Sequence, residues 1–374
     1  MFRFVAALFL LFPLLAQAQA PTPPSVIGRA WVLADVSSGQ VLAAEKADER
    51  FEPASLTKLM TAYVVFGALR AKKLALEDQV SVSEKAWRAP GSRMFVEPRR
   101  PVTADELIRG MIVQSGNDAC IALAERVAGS EEAFVAIMNS EAARLGMKNT
   151  KFMNASGLPD PQHYSSARDL YLLASALIRD FPEQYAQYYS LKEYRYNGIT
   201  QPNRNRLLWL DPTVDGMKTG FTEAAGYCLV ASSKRNGRRL LSVLLGSTSE
   251  STRAQESQKL LNWGFQFFDA VRLYAAGAPV KEVEVWKGER DRLKAGFRAD
   301  MMVAVPRGEA SKLKAELLSQ SPLVAPVAEG DRVGVLRVTL DGKPVGEYPV
   351  VALESVPLAG FFGRAWDTLR LWLK

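Results

Sequence analysis

Residues 53–60 read "PASLTKLM". Pro53 ends whatever precedes it, and "SLTKLMTAYVVFGALRA" continues as a strongly apolar helix. Ser55 and Lys58 stand three apart, so they share a helix face and Lys58 can reach the serine hydroxyl. A serine is a poor nucleophile until a neighbour takes its proton. The chain has a single histidine, His163. It sits in "LPDPQHYSSARD" without a nucleophile-elbow motif nearby, and reads as a surface loop residue. Lysine is therefore the natural base. A free lysine titrates near ~10.4, so working near neutrality requires a drop of roughly three units, about 4 kcal/mol. Burial, a helix N-terminus and a second positive charge all act in that direction. The unpaired N–H groups of the helix start also place Ser55 beside a potential oxyanion hole.

The pattern gains meaning from its company downstream. "SKLK" supplies a second Ser-x-x-Lys, Ser311 and Lys314, with nothing matching after it. After "SLTK" come "SGN", Ser115 to Asn117, and "KTG", Lys218 to Gly220. Alone, "SGND" before a helix is an N-cap and "KTG" a strand end. In this order and context, at a helix start, an interhelical loop and a strand, the three are the set used by serine-lysine acyl-transfer enzymes.

Outward from the opening stretch, "GRAWVLADV" and "VLAAEKA" flank "SSGQ" as a hairpin. A largely helical block runs from about Thr103 to Tyr189. Strands return with "VDGMKTGFT", "GYCLVASSK" and "RRLLSVLLGS", the last two joined through Asn-Gly. "TRAQESQKLLNWGFQFFDAVRLY" is the next helix, ending near Gly277 and Pro279. Strands at both ends of a helical block predict one α+β domain with helices on the faces of its sheet. From Val280 to Val356, short alternating strands between Gly, Pro and Asp turns predict a small all-β module.

Composition narrows the function. About 48% of the 374 residues are hydrophobic and 23% charged, an ordinary globular balance. The net charge of +7 suits an anionic surface, but the basic residues are scattered and form no nucleic-acid stripe. One histidine and two cysteines exclude a His-rich or zinc-type metal site. Cys120 and Cys228 could pair in an oxidising compartment, although the favoured reading is two free, buried thiols. Arg3, the apolar run Val5–Ala16 and "AQAQA" form a secretory signal with cleavage expected after Ala18; an uncleaved anchor is the alternative.

On "PASLTKLMTAYV", "QSGNDAC", "GLPDPQHYSSARDL", "NRNRLLW", "VDGMKTGFT" and "GYCLVAS", the chain resembles a low-molecular-mass penicillin-binding protein, a serine-type D-alanyl-D-alanine carboxypeptidase of peptidase family S11. The resemblance implies an α+β fold: a serine β-lactamase/transpeptidase-like domain, a small all-β domain and a C-terminal amphipathic helix. The expected divisions are 1–18, 19–279, 280–356 and 357–374. It implies no cofactor and no metal. Its substrate would be a peptidoglycan stem peptide ending in D-Ala-D-Ala, and β-lactams its covalent inhibitors. Ser55 would be the nucleophile, Lys58 the base and Ser115 the proton relay. Asn117, Lys218, Thr219, Gly220 and Phe221 would bind substrate, with Arg204 and Arg253 near the carboxylate subsite. The backbone N–H groups of Ser55 and Phe221 would form the oxyanion hole. Phe221 is a departure, because some relatives carry histidine there. A β-lactamase shares the three motifs, but the Glu-x-x-Leu-Asn loop of class A enzymes is missing. A non-catalytic wall-binding scaffold is the third reading.

In "FFGRAWDTLRLWLK", Phe361, Phe362, Ala365, Trp366, Leu369, Trp372 and Leu373 fall on one arc of a helix, with Arg364, Asp367, Arg370 and Lys374 opposite. At about 1.5 Å per residue the segment is too short to cross a bilayer. It suits an interfacial anchor, which the resemblance implies lies on the periplasmic face of the inner membrane; a helix docked on the β module is the alternative.

Overall fold

The computed structural model describes residues 22–319, 321–361 and 366–367. The signal peptide expected over 1–18 lies outside the described residues, as does most of the expected anchor.

Strands β1 (Ala30–Asp35) and β2 (Gln40–Glu45) form the expected hairpin. Strands β3 (Val214–Thr222), β4 (Gly226–Arg235) and β5 (Arg238–Ser247) follow the helical block. Together they make one antiparallel five-stranded sheet in the order β2-β1-β5-β4-β3. Both ends of this part of the chain thus meet in one sheet, with β3 at its open edge.

Side-chain alternation explains the layers. Trp31 and Leu33 of β1, Leu229 and Ala231 of β4, and Leu240 and Leu244 of β5 share one buried cluster with the helix that follows β5, here α4 (Glu250–Phe267). Val32, Ala34, Val230, Leu241, Val243 and Leu245 point the other way, into the helical block. A strand buried on both faces is nearly all apolar, and all six residues of β1 are buried, its one charged residue, Asp35, being paired with Arg238. Gly264 lets α4 lie close on the sheet, since a Cβ there would stand 2.7 Å from Leu240 and 2.9 Å from Leu33.

Inside the block, α1 (Lys58–Arg70) is buried over most of its surface, from Leu59 through Phe66. Around it pack α2 (Asn117–Ala128) and α3 (Ala167–Asp180). Ser166 caps α3 and Ser249 caps α4, each accepting from a backbone N–H of the first turn.

One expectation needs correction. The helix expected through Tyr274 ends at Phe267, and Phe268–Tyr274 is a strand pairing antiparallel with Met301–Pro306. The remaining β-rich segment forms a six-stranded sheet built from Leu313–Ser319, Arg332–Leu340, Lys343–Ala352, Arg292–Gly296, Pro279–Trp286 and Leu323–Val324, with its own apolar core. No helix among the described residues is long and apolar enough to cross a membrane.

Candidate active site

Ala54–Thr57 form a single 3-10 turn that runs directly into α1. This turn brings Ser55 over the first residue of the helix. Lys58 Nζ lies 3.0 Å from Ser55 Oγ, 2.7 Å from Asn117 Oδ1 and 2.6 Å from the carbonyl oxygen of Ser156. Asn117 is oriented by its other end, since Nδ2 donates to Pro90 O at 2.7 Å. An ammonium has three hydrogens for these three acceptors. A neutral amine has two. Asn117 Oδ1 and Ser156 O can only accept, so they hold both hydrogens and the lone pair is left facing the Ser55 hydroxyl.

Burial acts toward that neutral form. Lys58 is 1% exposed, and burial pulls its pKa below the ordinary lysine value, with the Arg204 charge adding to the effect. Lys218, also buried, is pulled well below that value by burial and then by the charges of Lys58 and Arg204. Lys218 Nζ donates to Ser115 Oγ at 3.0 Å and to Thr219 O at 3.0 Å. Ser115 ends the helical turn Gly110–Gln114 in the left-handed conformation, φ 66° and ψ 34°, and Asn117 then opens α2. Asp118, fully buried, fixes this corner by accepting from the backbone N–H groups of Met94, Phe95 and Val96.

Thr219, Gly220 and Phe221 lie on β3, opposite Leu229, Cys228 and Tyr227 of β4. With Ser55, Ser115, Asn117, Arg204 and Arg253 they line one cleft of about 520 Å³. Arg253 is buried and donates to Gly220 O and Arg204 O, each at 3.4 Å. Arg204 is exposed at the rim. Phe221 is half-exposed and packs on Tyr227, ring centroids 4.4 Å apart. All ten residues singled out in the sequence thus meet at one cleft or directly behind it. Cys120 and Cys228 are free and buried, and burial raises the Cys120 thiol to about 12. No cluster of metal-ligating residues occurs among the described residues.

His163 corrects the sequence reading. It is 3% exposed, not a surface residue, and its Nε2 lies 2.9 Å from Thr57 Oγ1, between Ser55 and Lys58 in sequence. The Met153 N–H points at Nδ1 from 3.4 Å, which leaves Nε2–H as the donor to Thr57. The ring meets Phe152 edge-on. Burial pushes its pKa down to about 4. Sequence reasoning also missed Ser156, because its contribution is a backbone carbonyl. Gly157, at φ +84°, allows that loop to approach: a Cβ there would stand 1.8 Å from Ala54 O.

A layered sheet whose edge strand carries Lys-Thr-Gly, facing a buried helix that starts with Ser-x-x-Lys, defines a penicillin-interacting serine acyl-transfer enzyme, with lysine where other serine enzymes use histidine. Comparison with known proteins agrees. Residues 17–249 match the model of the D-alanyl-D-alanine carboxypeptidase family, peptidase S11, and residues 268–358 match the C-terminal domain of penicillin-binding protein 5. The chain is 47% identical to the D-alanyl-D-alanine carboxypeptidase DacC of Escherichia coli K12 over 371 residues, 97% of this chain and 92% of that one. The crystal structure of penicillin-binding protein 5 from Haemophilus influenzae superposes with a TM-score of 0.84 at 41% identity, covering 90% of this chain and 99% of that one. Penicillin-binding protein D2 of Listeria monocytogenes, in its ampicillin-bound form, gives a TM-score of 0.60 at 31% identity over 66% of this chain and 100% of that one. The chain belongs to the D-alanyl-D-alanine carboxypeptidase family.

Proposed function

We propose that this chain removes the terminal D-alanine from peptidoglycan stem peptides through an acyl-enzyme on Ser55, and that β-lactams acylate the same hydroxyl. The observation that carries this reading is the Lys58 environment: its amine lies 3.0 Å from Ser55 Oγ, with two obligate acceptors, Asn117 Oδ1 and Ser156 O, on its other sides, so a neutral amine would turn its lone pair to Ser55.

Ser55 Oγ attacks the carbonyl of the penultimate D-alanine as its proton passes to Lys58. The tetrahedral oxyanion is held by the backbone N–H groups of Ser55 and Phe221. Collapse breaks the amide bond. Ser115, held by Lys218, gives its proton to the departing amine, and Lys58 restores it through the Ser115 hydroxyl. Water then attacks the ester; Lys58 takes its proton and returns one to Ser55. Asn117 holds the substrate amide and Lys218 keeps the cleft positive. Thr219 and Gly220 border the terminal carboxylate, with Arg204 and Arg253 at its far side. Phe221 supports the rim where some relatives have histidine.

Residues 1–18 act as a signal peptide, sending the enzyme to the periplasm. Phe361–Lys374 then rest on the inner membrane as an interfacial helix. The high exposure of Phe361 and Trp366 supports this anchor. Deleting 361–374 should move the protein from the membrane to the soluble fraction, and continued membrane attachment would refute the anchor.

The decisive test labels the protein with a fluorescent penicillin, maps the modified peptide by mass spectrometry, and assays D-alanine release from a D-Ala-D-Ala peptide. Ser55→Ala is the control. A slowly clearing label on Ser55 with D-alanine release supports the reading. Rapid label loss without D-alanine release would mean a β-lactamase, and no label would mean a scaffold.

A further inference from the structure

The chain carries a net charge of +7, and its basic residues look dispersed along the sequence. The fold gathers many of them. Two segments border the mouth of the cleft: loop 89–100, whose Gly91 and Ser92 line it, and the hairpin and turn 192–206, whose Arg204 lines it. The two are tied together. Gln201 Nε2 donates to Arg93 O and Asn197 Nδ2 to Glu97 Oε1, both at 3.3 Å, and Arg100 donates to Asn197 Oδ1.

The loop sets Arg93, Arg99 and Arg100 against Glu97, a surplus of two; the second segment sets Lys192, Arg195, Arg204 and Arg206 against Glu193, a surplus of three. Two short segments thus hold five of the chain's seven net charges. All of these cations are exposed except Arg93, which is half-buried. Nearby Arg88 and Arg109 are ion-paired with Glu84 and Asp105, whereas among the described residues none of the seven has a carboxylate within ion-pair distance. A cleft rimmed by one sign of charge concentrates ligands of the other sign.

We propose that this collar is a binding surface for acidic peptidoglycan peptides. Carboxylates on the stem and on neighbouring stems of the polymer are drawn to Lys192, Arg99, Arg100, Arg195 and Arg206 while the D-Ala-D-Ala end enters the cleft. The proposal rests on the carboxypeptidase reading above and extends it to substrate choice: polymeric, polyanionic peptidoglycan over short peptides with no carboxylate beyond the terminal one. Two features select this occupant. The collar is continuous with the cleft, so its ligand must be bound together with a peptide at Ser55. A bilayer lying across the same residues would instead close the cleft mouth.

The test uses the full chain and the triple variant Arg99→Gln, Arg195→Gln, Arg206→Gln. None of these side chains lines the cleft itself. D-alanine release is measured from pentapeptide-rich peptidoglycan and from diacetyl-L-lysyl-D-alanyl-D-alanine, which has no carboxylate beyond the terminal one. The variant should raise KM for the polymer roughly tenfold with kcat preserved. Its kinetics on the short peptide and its acylation by penicillin should match the wild type. About 0.5 M NaCl should erase the difference between the two proteins on the polymer. An unchanged polymer KM, or equal losses on both substrates, would overturn the collar. So would a polymer KM that stays constant while binding to phosphatidylglycerol vesicles is lost, since the surface would then serve a membrane. Failure of the wild type on the short peptide would instead strike the carboxypeptidase reading itself.

Discussion

His163 offers a test in which a single proton can be followed. It is the one histidine in 374 residues, and burial pushes its pKa down to about 4. In the unfolded chain the same imidazole titrates near ~6.5. Between these two values the unfolded chain holds a proton that the native protein does not. Native stability therefore rises with pH across that window, and is lost as pH falls from about 6.5 to about 4. The full interval is worth roughly 3 kcal/mol, most of which is lost between pH 7.5 and pH 4.5. Carboxylates also titrate there, so the comparison is with His163→Gln, which retains a donor toward Thr57 and has no such proton. Urea unfolding of both proteins at the two pH values should show the wild type losing roughly 2–3 kcal/mol more than the variant. Nitrogen-detected NMR of an untagged sample should find the imidazole neutral, with hydrogen on Nε2, down to about pH 5. An imidazole titrating near ~6.5, or equal acid losses in both proteins, would refute the link between the histidine's burial and the nucleophile turn.

The site itself carries two more expected outcomes. Acylation by penicillin should decline as pH falls through the lowered pKa of Lys58, with the acid limb below the ~10.4 of free lysine. Arg204→Gln removes a charge that lowers Lys58, so it should move the limb to higher pH; a limb that stays in place would remove Arg204 from the electrostatics of the base. Gly157→Ala should cost more than about 3 kcal/mol in thermal unfolding and lose most acylation, because its Cβ would collide with Ala54 O in a left-handed backbone. A variant that melts and labels like the wild type would show that the loop carrying Ser156 can retreat without cost.

The strand pattern and the three motifs were legible in the sequence for different reasons. Strands β1, β3, β4 and β5 are apolar runs bounded by turns, and their order around the helical block implied one sheet. Ser55, Lys58, Ser115, Asn117 and Lys218 could be named because each motif needs its residue type. The end of α4 was hidden, because "FQFFDAVRLY" is apolar enough for either period, and only pairing with Met301–Pro306 makes its second half a strand. The place of His163 was hidden too. A lone histidine in a loop has no periodicity to show burial, and its partner Thr57 lies 106 positions away. The collar escaped notice because its charges come from two segments that only the tertiary fold sets side by side.

Strand β3 is hydrogen-bonded to β4 on one side and is the last strand of its sheet on the other. Such an edge is ordinarily an aggregation hazard, which proteins blunt or cover. Here it borders the cleft, and on the proposed reading the substrate peptide would lie along it as one more strand. An extended peptide laid along Lys218–Phe221 would be read through its backbone, in the manner of strand addition. Recognition of that kind is indifferent to much of the side-chain chemistry. It asks above all for an extended chain end that can lie flat along the strand.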